Sequence, residues 1–349
     1  MKTQRQSVFI LIVFFALSTV TSAQPFSDAA SYITYISQQY EPIMEGYMSY
    51  HSAIAHGKSA RKVDNRRQEL ITKVKEAIKK LQALHPFNGD KSLRDSTLNF
   101  FKIYNIVLNE DYAKILNMEE IAEQSYDAME AYLLAQDKAT EKLKIANQQI
   151  QNTQADFAKK NNVTLIEGKN TELEKKVLKT AQVNTYYRSV YLIFFKSYKQ
   201  ELYMLDAIEK KNINAIEQNR NALLKFSEEG LKKLDTMRAF NNDISLINAC
   251  AALLKFYKDE CNNSITLITE FYIKEENFMK MKKNIEAKKP NERTQKDVDD
   301  YNNAVNEFNK AVSVYNERNK ELLDRRNTLI EAWNKASQNF LDRHTPKYK

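Results

Sequence analysis

Apolar residues recur in this chain at alternating steps of three and four over long runs, a spacing that lines one face of a helix and no face of a strand. Near the C-terminus the series is Val298, Tyr301, Val305, Phe308, Val312, Tyr315, Asn319, Leu322, Arg326, Leu329, Trp333, Ala336 and Phe340. It predicts about 63 Å of unbroken helix. A matching seam passes through Ile115, Met118, Met129, Tyr132, Gln136, Ala139, Leu143, Ala146, Ile150 and Phe157, and a third through Ile33, Ile36, Tyr40, Ile43, Tyr47, Tyr50 and Ile54. Pro42 lies inside the third and removes a backbone donor, so a kink or break is expected there. Only five Gly and five Pro occur in 349 residues, too few for the turns of a sheet-rich fold. The expectation is an all-α, elongated multi-helix bundle with long coiled-coil-like helices.

The chain also reads as a duplication. A shift of 153 lays Leu81–Asp90 on Leu234–Asp243, with Phe87-Asn88-Gly89-Asp90 falling on Phe240-Asn241-Asn242-Asp243. Gly89 and Asn242 tolerate positive φ, and Asp90 and Asp243 suit a helix start. The shared motif therefore predicts a helix–turn–helix corner, and Phe87, Asp90, Phe240 and Asp243 are assigned structural roles. A shift of 154 aligns Ile33, Ile36, Tyr40 and Ile54 with Tyr187, Val190, Phe194 and Ile208, and a shift of 183 aligns the two long seams. About 30 extra residues then fall near Ser264–Gln295, as a helical hairpin of about 264–297 with its tip at Pro290-Asn291. The first repeat is placed at 24–165 and the second at 166–349, the two packed as one elongated unit. Val183–Ile208 is apolar nearly all round and is expected to be the most enclosed helix.

Lys2 and Arg5, the apolar run Val8–Leu17 and the small residues Thr21-Ser22-Ala23 have the layout of a cleavable signal over residues 1–23. The implied location is outside the cytoplasm, in the periplasm or at the cell surface. No later run approaches the roughly 20 apolar residues of a membrane helix, and Gln24 stands where a lipoprotein has Cys. The net charge is +8, or +6 without Lys2 and Arg5, mostly as mixed charge on solvated faces. Lys58–Lys80 and Lys280–Lys296 are locally basic, which leaves room for peripheral contact with an anionic surface. No motif points to nucleic acid. Cys250 and Cys261 are eleven apart; on one helix that is a rise of about 16 Å, beyond the reach of a disulfide.

There is no zinc spacing, phosphate-cradling Gly-rich loop or nucleophile motif, so no catalytic residue and no cofactor are assigned. Met44, Met48 and His51 share a helix face and offer soft ligands suited to copper, although packing is the preferred reading. Ser197 and Glu201 stand at seam positions. An inward Glu201 would mark a ligand pocket, because a buried carboxylate is costly unless paired; the preferred alternative is a slight helix rotation that gives the core to Leu202 and Leu205. Gln136 and Asn319 are assigned a register-fixing role in their seams.

The run Met118–Leu133, the block Tyr186–Glu201 and the Phe-Asn-Gly-Asp corner together resemble an uncharacterised bacterial surface-protein family of leptospires and Bacteroidetes. The resemblance implies an exported helical protein and carries no catalytic residues with it. The residues are expected to make a structural or interaction module for an unknown protein or an envelope glycan. The alternative is a small-ligand or metal-binding module using an interhelical pocket.

Overall fold

The computed structural model describes residues 26–111, 126–165 and 171–348. The chain is an all-α multi-helix bundle. By contact it divides into two units, Met1–Thr185 with Leu341–Lys349, and Tyr186–Phe340.

The first unit holds α1 (Ala29–Gln38), α2 (Tyr40–Ala55), α3 (Ala60–Ala83), α4 (Ser92–Ile106) and α5 (Tyr126–Lys160). Asp28 starts α1 by accepting from the Ser31 N–H at 2.7 Å, which satisfies one of the donors a helix start leaves open. The break expected from Pro42 falls at Gln39, between α1 and α2. Three positions later Pro42 has no N–H to offer, so the ladder restarts there without cost. Gly46 lets α2 approach α3 closely: a Cβ there would lie 3.0 Å from Leu70 Cδ1 and 3.3 Å from Leu70 Cα. The core is a cluster of aliphatic and aromatic side chains from α1 to α5, among them Tyr32, Leu70, Val74, Leu81, Phe101 and Phe157.

A long helix, α6 (Glu172–Glu209), opens with a reciprocal cap. The Thr171 N–H donates to Glu174 Oε2 at 2.5 Å, and the Glu174 N–H donates to Thr171 Oγ1 at 3.1 Å. Its residues to Thr185 belong to the first unit and the rest to the second. Over Val183–Ile208 only Thr185, Ser189, Tyr203 and Asp206 are exposed, in keeping with its apolar circumference. The second unit continues with α7 (Ile213–Thr236), α8 (Ser245–Asp259), α9 (Ile265–Ala287) and α10 (Gln295–His344).

The repeat is visible residue by residue. Helices α3 and α7 are both 24 residues long, and α4 and α8 both 15, each pair offset by 153. Both α4 and α8 run on into a five-residue π turn, Val107–Asp111 and Glu260–Ser264. Each corner closes with the same two backbone bonds, 3.1 and 2.9 Å between Phe87 and Asp90 and again between Phe240 and Asp243. Asn88 and Asn241 both have φ 49°, Gly89 has φ 80° and Asn242 φ 66°, the left-handed region where Gly and Asn are the tolerated residues. Asp90 and Asp243 each accept from the N–H two residues on, at 2.9 Å. They stand one residue ahead of the helix junction and cap it as Asx turns. Over each corner sits an aromatic trio of one geometry. Tyr32 stacks on Phe157 while Phe87 meets Phe157 edge-on; Tyr186 stacks on Phe340 while Phe240 meets Phe340 edge-on. The three members are related by shifts of 154, 153 and 183.

Candidate functional site

One conserved device and one difference define the second unit. In both units an arginine reaches from the helix after the first long segment to the π turn. Arg67 Nη1 donates to the Leu108 carbonyl at 3.2 Å, and Arg220 Nη1 to the Cys261 carbonyl at 3.4 Å. Each is also paired with an acid three residues before it, Asp64 or Glu217. A π turn displaces a carbonyl from the helical ladder, and the guanidinium supplies the missing donor.

The difference lies beside that turn. Glu201 and Glu260 are fully enclosed, and Arg326 nearly so, in the second unit. Arg326 Nε donates to Glu201 Oε1 at 2.5 Å, and its Nη2 donates to Glu260 Oε1. The second oxygen of each carboxyl and the Tyr257 hydroxyl have no well-formed hydrogen bond, although Tyr257 lies close enough to Glu201 for each to perturb the other. Burial is the largest influence on both acids and raises both; Arg326 opposes it. Burial first, and then repulsion by the Glu201 charge, push Glu260 up to about 8. One guanidinium neutralises one carboxylate, so a proton shared by the pair makes the cluster neutral. At the corresponding first-unit positions stand Tyr47, Val107 and Leu143, all apolar or aromatic and packed with the core there.

The rotation expected to give the core to Leu202 and Leu205 does not occur. Glu201 points inward, and Leu202 and Leu205 are half-buried, because Arg326 provides the counter-charge a buried carboxylate needs. The sequence did contain a signal for this partner, since Arg326 interrupts the apolar seam of α10. Ser197 is also fully buried, one helical turn from Glu201.

The other singled-out residues lie elsewhere. The Met48 sulfur accepts from Thr180 Oγ1 at 3.4 Å, and His51 Nδ1 pairs with the Asn184 amide at 3.0 Å. Met44 packs against the first core. Burial pushes His51 down to about 3, so it is neutral at ordinary pH. Among the described residues no group of three or more His, Cys, Asp or Glu is arranged to hold a metal ion. Asn319 is half-buried in α10, and the Gln136 side chain lies outside the described residues. Cys250 and Cys261 are free and buried, their thiols pushed up to about 12 by burial. A void of about 20 Å³ in the first unit, lined by Tyr40, Thr97, Ile150 and Gln154 among others, has room for about one water molecule. It touches neither Ser197 nor Glu201.

The most accessible part of the second unit is the hairpin of α9 and α10. From Ile273 to Glu321 no residue is buried. The two helices hold each other through a ladder of rings, with Phe271 on Tyr315 at 4.2 Å and Phe278 on Phe308 at 4.6 Å. At its base the Tyr272 hydroxyl donates to the Ile208 carbonyl at 3.0 Å. At its tip, Pro290–Glu292 forms a short 3₁₀ turn, and Thr294 and Asp297 cap α10 reciprocally. Lys280 and Lys288 pair with Glu276 and Asp297, while Lys283, Lys289 and Lys296 are exposed and Lys282 is half-buried.

Among the described residues no helix is long and apolar enough to cross a membrane. The chain matches no known family, no curated protein and no solved structure.

Proposed function

We propose that this chain is an exported, non-catalytic interaction module of a bacterial envelope, and that it engages an anionic envelope glycan through the tip of the α9–α10 hairpin. The observation that carries this reading is the hairpin itself, a stretch in which nothing is buried from Ile273 to Glu321. Helices that bury only one narrow seam against each other add little to the core; their use lies in what they present. The tip presents exposed lysines whose long stems can follow a polyanion. The signal-like first 23 residues support export to the periplasm or the cell surface, and the resemblance to the leptospiral and Bacteroidetes surface family agrees with that location.

The test is retention of the purified chain on immobilised lipopolysaccharide at low and moderate salt. Lys282→Glu, Lys283→Glu, Lys289→Glu and Lys296→Glu together are expected to abolish salt-sensitive retention and leave the helical circular dichroism unchanged. Undiminished retention by that variant would remove the hairpin tip from the proposal. Protease treatment of intact cells, with a periplasmic control, separates surface display from the periplasm.

A further inference from the structure

We infer that the second unit carries a proton-operated latch, in which Glu201 and Glu260 share one proton beneath Arg326 and loss of that proton releases Glu260, at the start of the π turn, from Arg326.

The geometry rests on a count of charges. Arg326 bridges carboxyls from two different elements, α6 and the π turn, using one oxygen of each. The remaining oxygens are enclosed and have no hydrogen bond of good geometry. The other groups around them do not supply a second cation. From α7, Arg220 is committed to the Cys261 carbonyl and Glu217. From α8, Tyr257 offers a neutral phenol, and Asp259 is turned to Arg325. The π turn adds Cys261, a buried thiol. From α6, Tyr198 is the other neighbour that senses Glu201. On α10, Arg318 is directed to Ser264 and Glu321. With its proton gone to solvent, the cluster holds two carboxylates against one guanidinium, an uncompensated charge in a closed interior.

The structure also indicates where that strain is relieved. Glu260 is the first residue of the π turn, where the helical ladder is already interrupted; beyond Glu260 the turn is held by Arg220 on the Cys261 carbonyl and Arg318 on Ser264. Moving this turn brings Glu260 to water and leaves Arg326 with Glu201 as a matched pair. The first unit provides a built-in control, because its π turn has the apolar Val107 and Leu108 where the second has Glu260 and Cys261, and its own acids, Glu110 and Asp111, stand at the far end of the turn.

Hydrogen exchange of the full chain, followed by mass spectrometry from mildly acid to mildly alkaline buffer, compares Tyr257–Ile265 with Tyr104–Asp111. Taking the ratio of the two turns cancels the intrinsic pH dependence of amide exchange. The ratio is expected to rise by up to about tenfold per pH unit, the limit for one linked proton. An infrared band from one protonated carboxyl is expected in the neutral wild-type chain and not in Glu260→Gln, whose ratio should be flat. If Glu260→Gln fails to fold, the triple variant Glu201→Tyr, Glu260→Val, Arg326→Leu, which copies the first unit, should give the same flat ratio. A flat ratio in the wild type, no protonated carboxyl at neutral pH, or a pH-dependent ratio that persists in the variant would each overturn the latch.

Discussion

The two units use one plan and fill one layer of it in opposite ways. At equivalent positions the first has Tyr47, Val107 and Leu143, and the second has Glu201, Glu260 and Arg326. Around that layer the helix lengths, the π turns, the arginine clamps and the aromatic trios are repeated. The scaffold therefore does not depend on the chemistry of this layer. The charged version needs its partners together, since each buried group is tolerable only while the others neutralise it.

The comparison is broken most directly at Arg326. Arg326→Ala should cost about 3–5 kcal/mol, because two enclosed carboxyls lose their counter-charge. Leu143→Ala, at the half-buried equivalent site, should cost about 1–2 kcal/mol. Trp333 is the only tryptophan; it is buried and stacked on Phe194 at 4.3 Å, so its fluorescence during urea unfolding reports the second unit. Equal costs at the two sites would mean that the charge of the triad is immaterial. Where the units are alike the costs should be alike. Phe157→Ala and Phe340→Ala should each lose about 3–5 kcal/mol, and a gap of more than about 1 kcal/mol between them would show that the two trios differ in energy despite one geometry.

The pH responses should have opposite signs. In the second unit Glu260 titrates above its ordinary range, at about 8. The folded state therefore binds more protons than the unfolded between the ordinary carboxylate range and about 8, and stability falls as pH rises through that window. In the first unit the neutral His51 is held down to about 3 by burial. There the unfolded state binds more protons below about 6.5, so stability falls as pH drops. Each slope is limited to about 1.4 kcal/mol per pH unit. Trp333 fluorescence in urea follows the first of these, and the His51 ring resonances with amide exchange in α2 follow the second. A second unit that gains stability toward alkaline pH would contradict the shared proton.

Much of this plan was legible in the sequence because periodicity and duplication are local patterns. Shifts of 153, 154 and 183 align the three members of each aromatic trio, and Pro42 marks the break at Gln39. The π turns left no such mark, since Val107–Asp111 and Glu260–Ser264 contain neither Gly nor Pro and nothing in them distinguishes a π turn from ordinary helix. The role of Glu201 was also obscured. Its partner Arg326 is 125 positions away, and a lone acid on an apolar face is usually explained by a small rotation of the helix. Only the coincidence of two charges in two seams pointed the other way, and pairing them required the fold.

The smallest effect tests the corners, where the copies differ by one residue. Gly89 and its counterpart Asn242 both occupy the left-handed region, at φ 80° and 66°. A Cβ added at Gly89 would meet nothing within 4 Å, so substitution there measures backbone preference without packing. Ala lacks the polar side chain that lets Asn settle in this region, and should cost about 1 kcal/mol at position 89. Asn should cost less than half of that, because it is the residue the second corner already uses. The reciprocal Asn242→Gly should lie within about 0.5 kcal/mol of neutral, as relief of the positive φ is offset by the greater freedom glycine gives the unfolded chain. Thermal unfolding of the three variants gives the ranking. If Gly89→Asn proved as harmful as Gly89→Ala, the two corners would share hydrogen bonds without sharing backbone energetics, and their likeness would reach only as far as Phe, Asn and Asp.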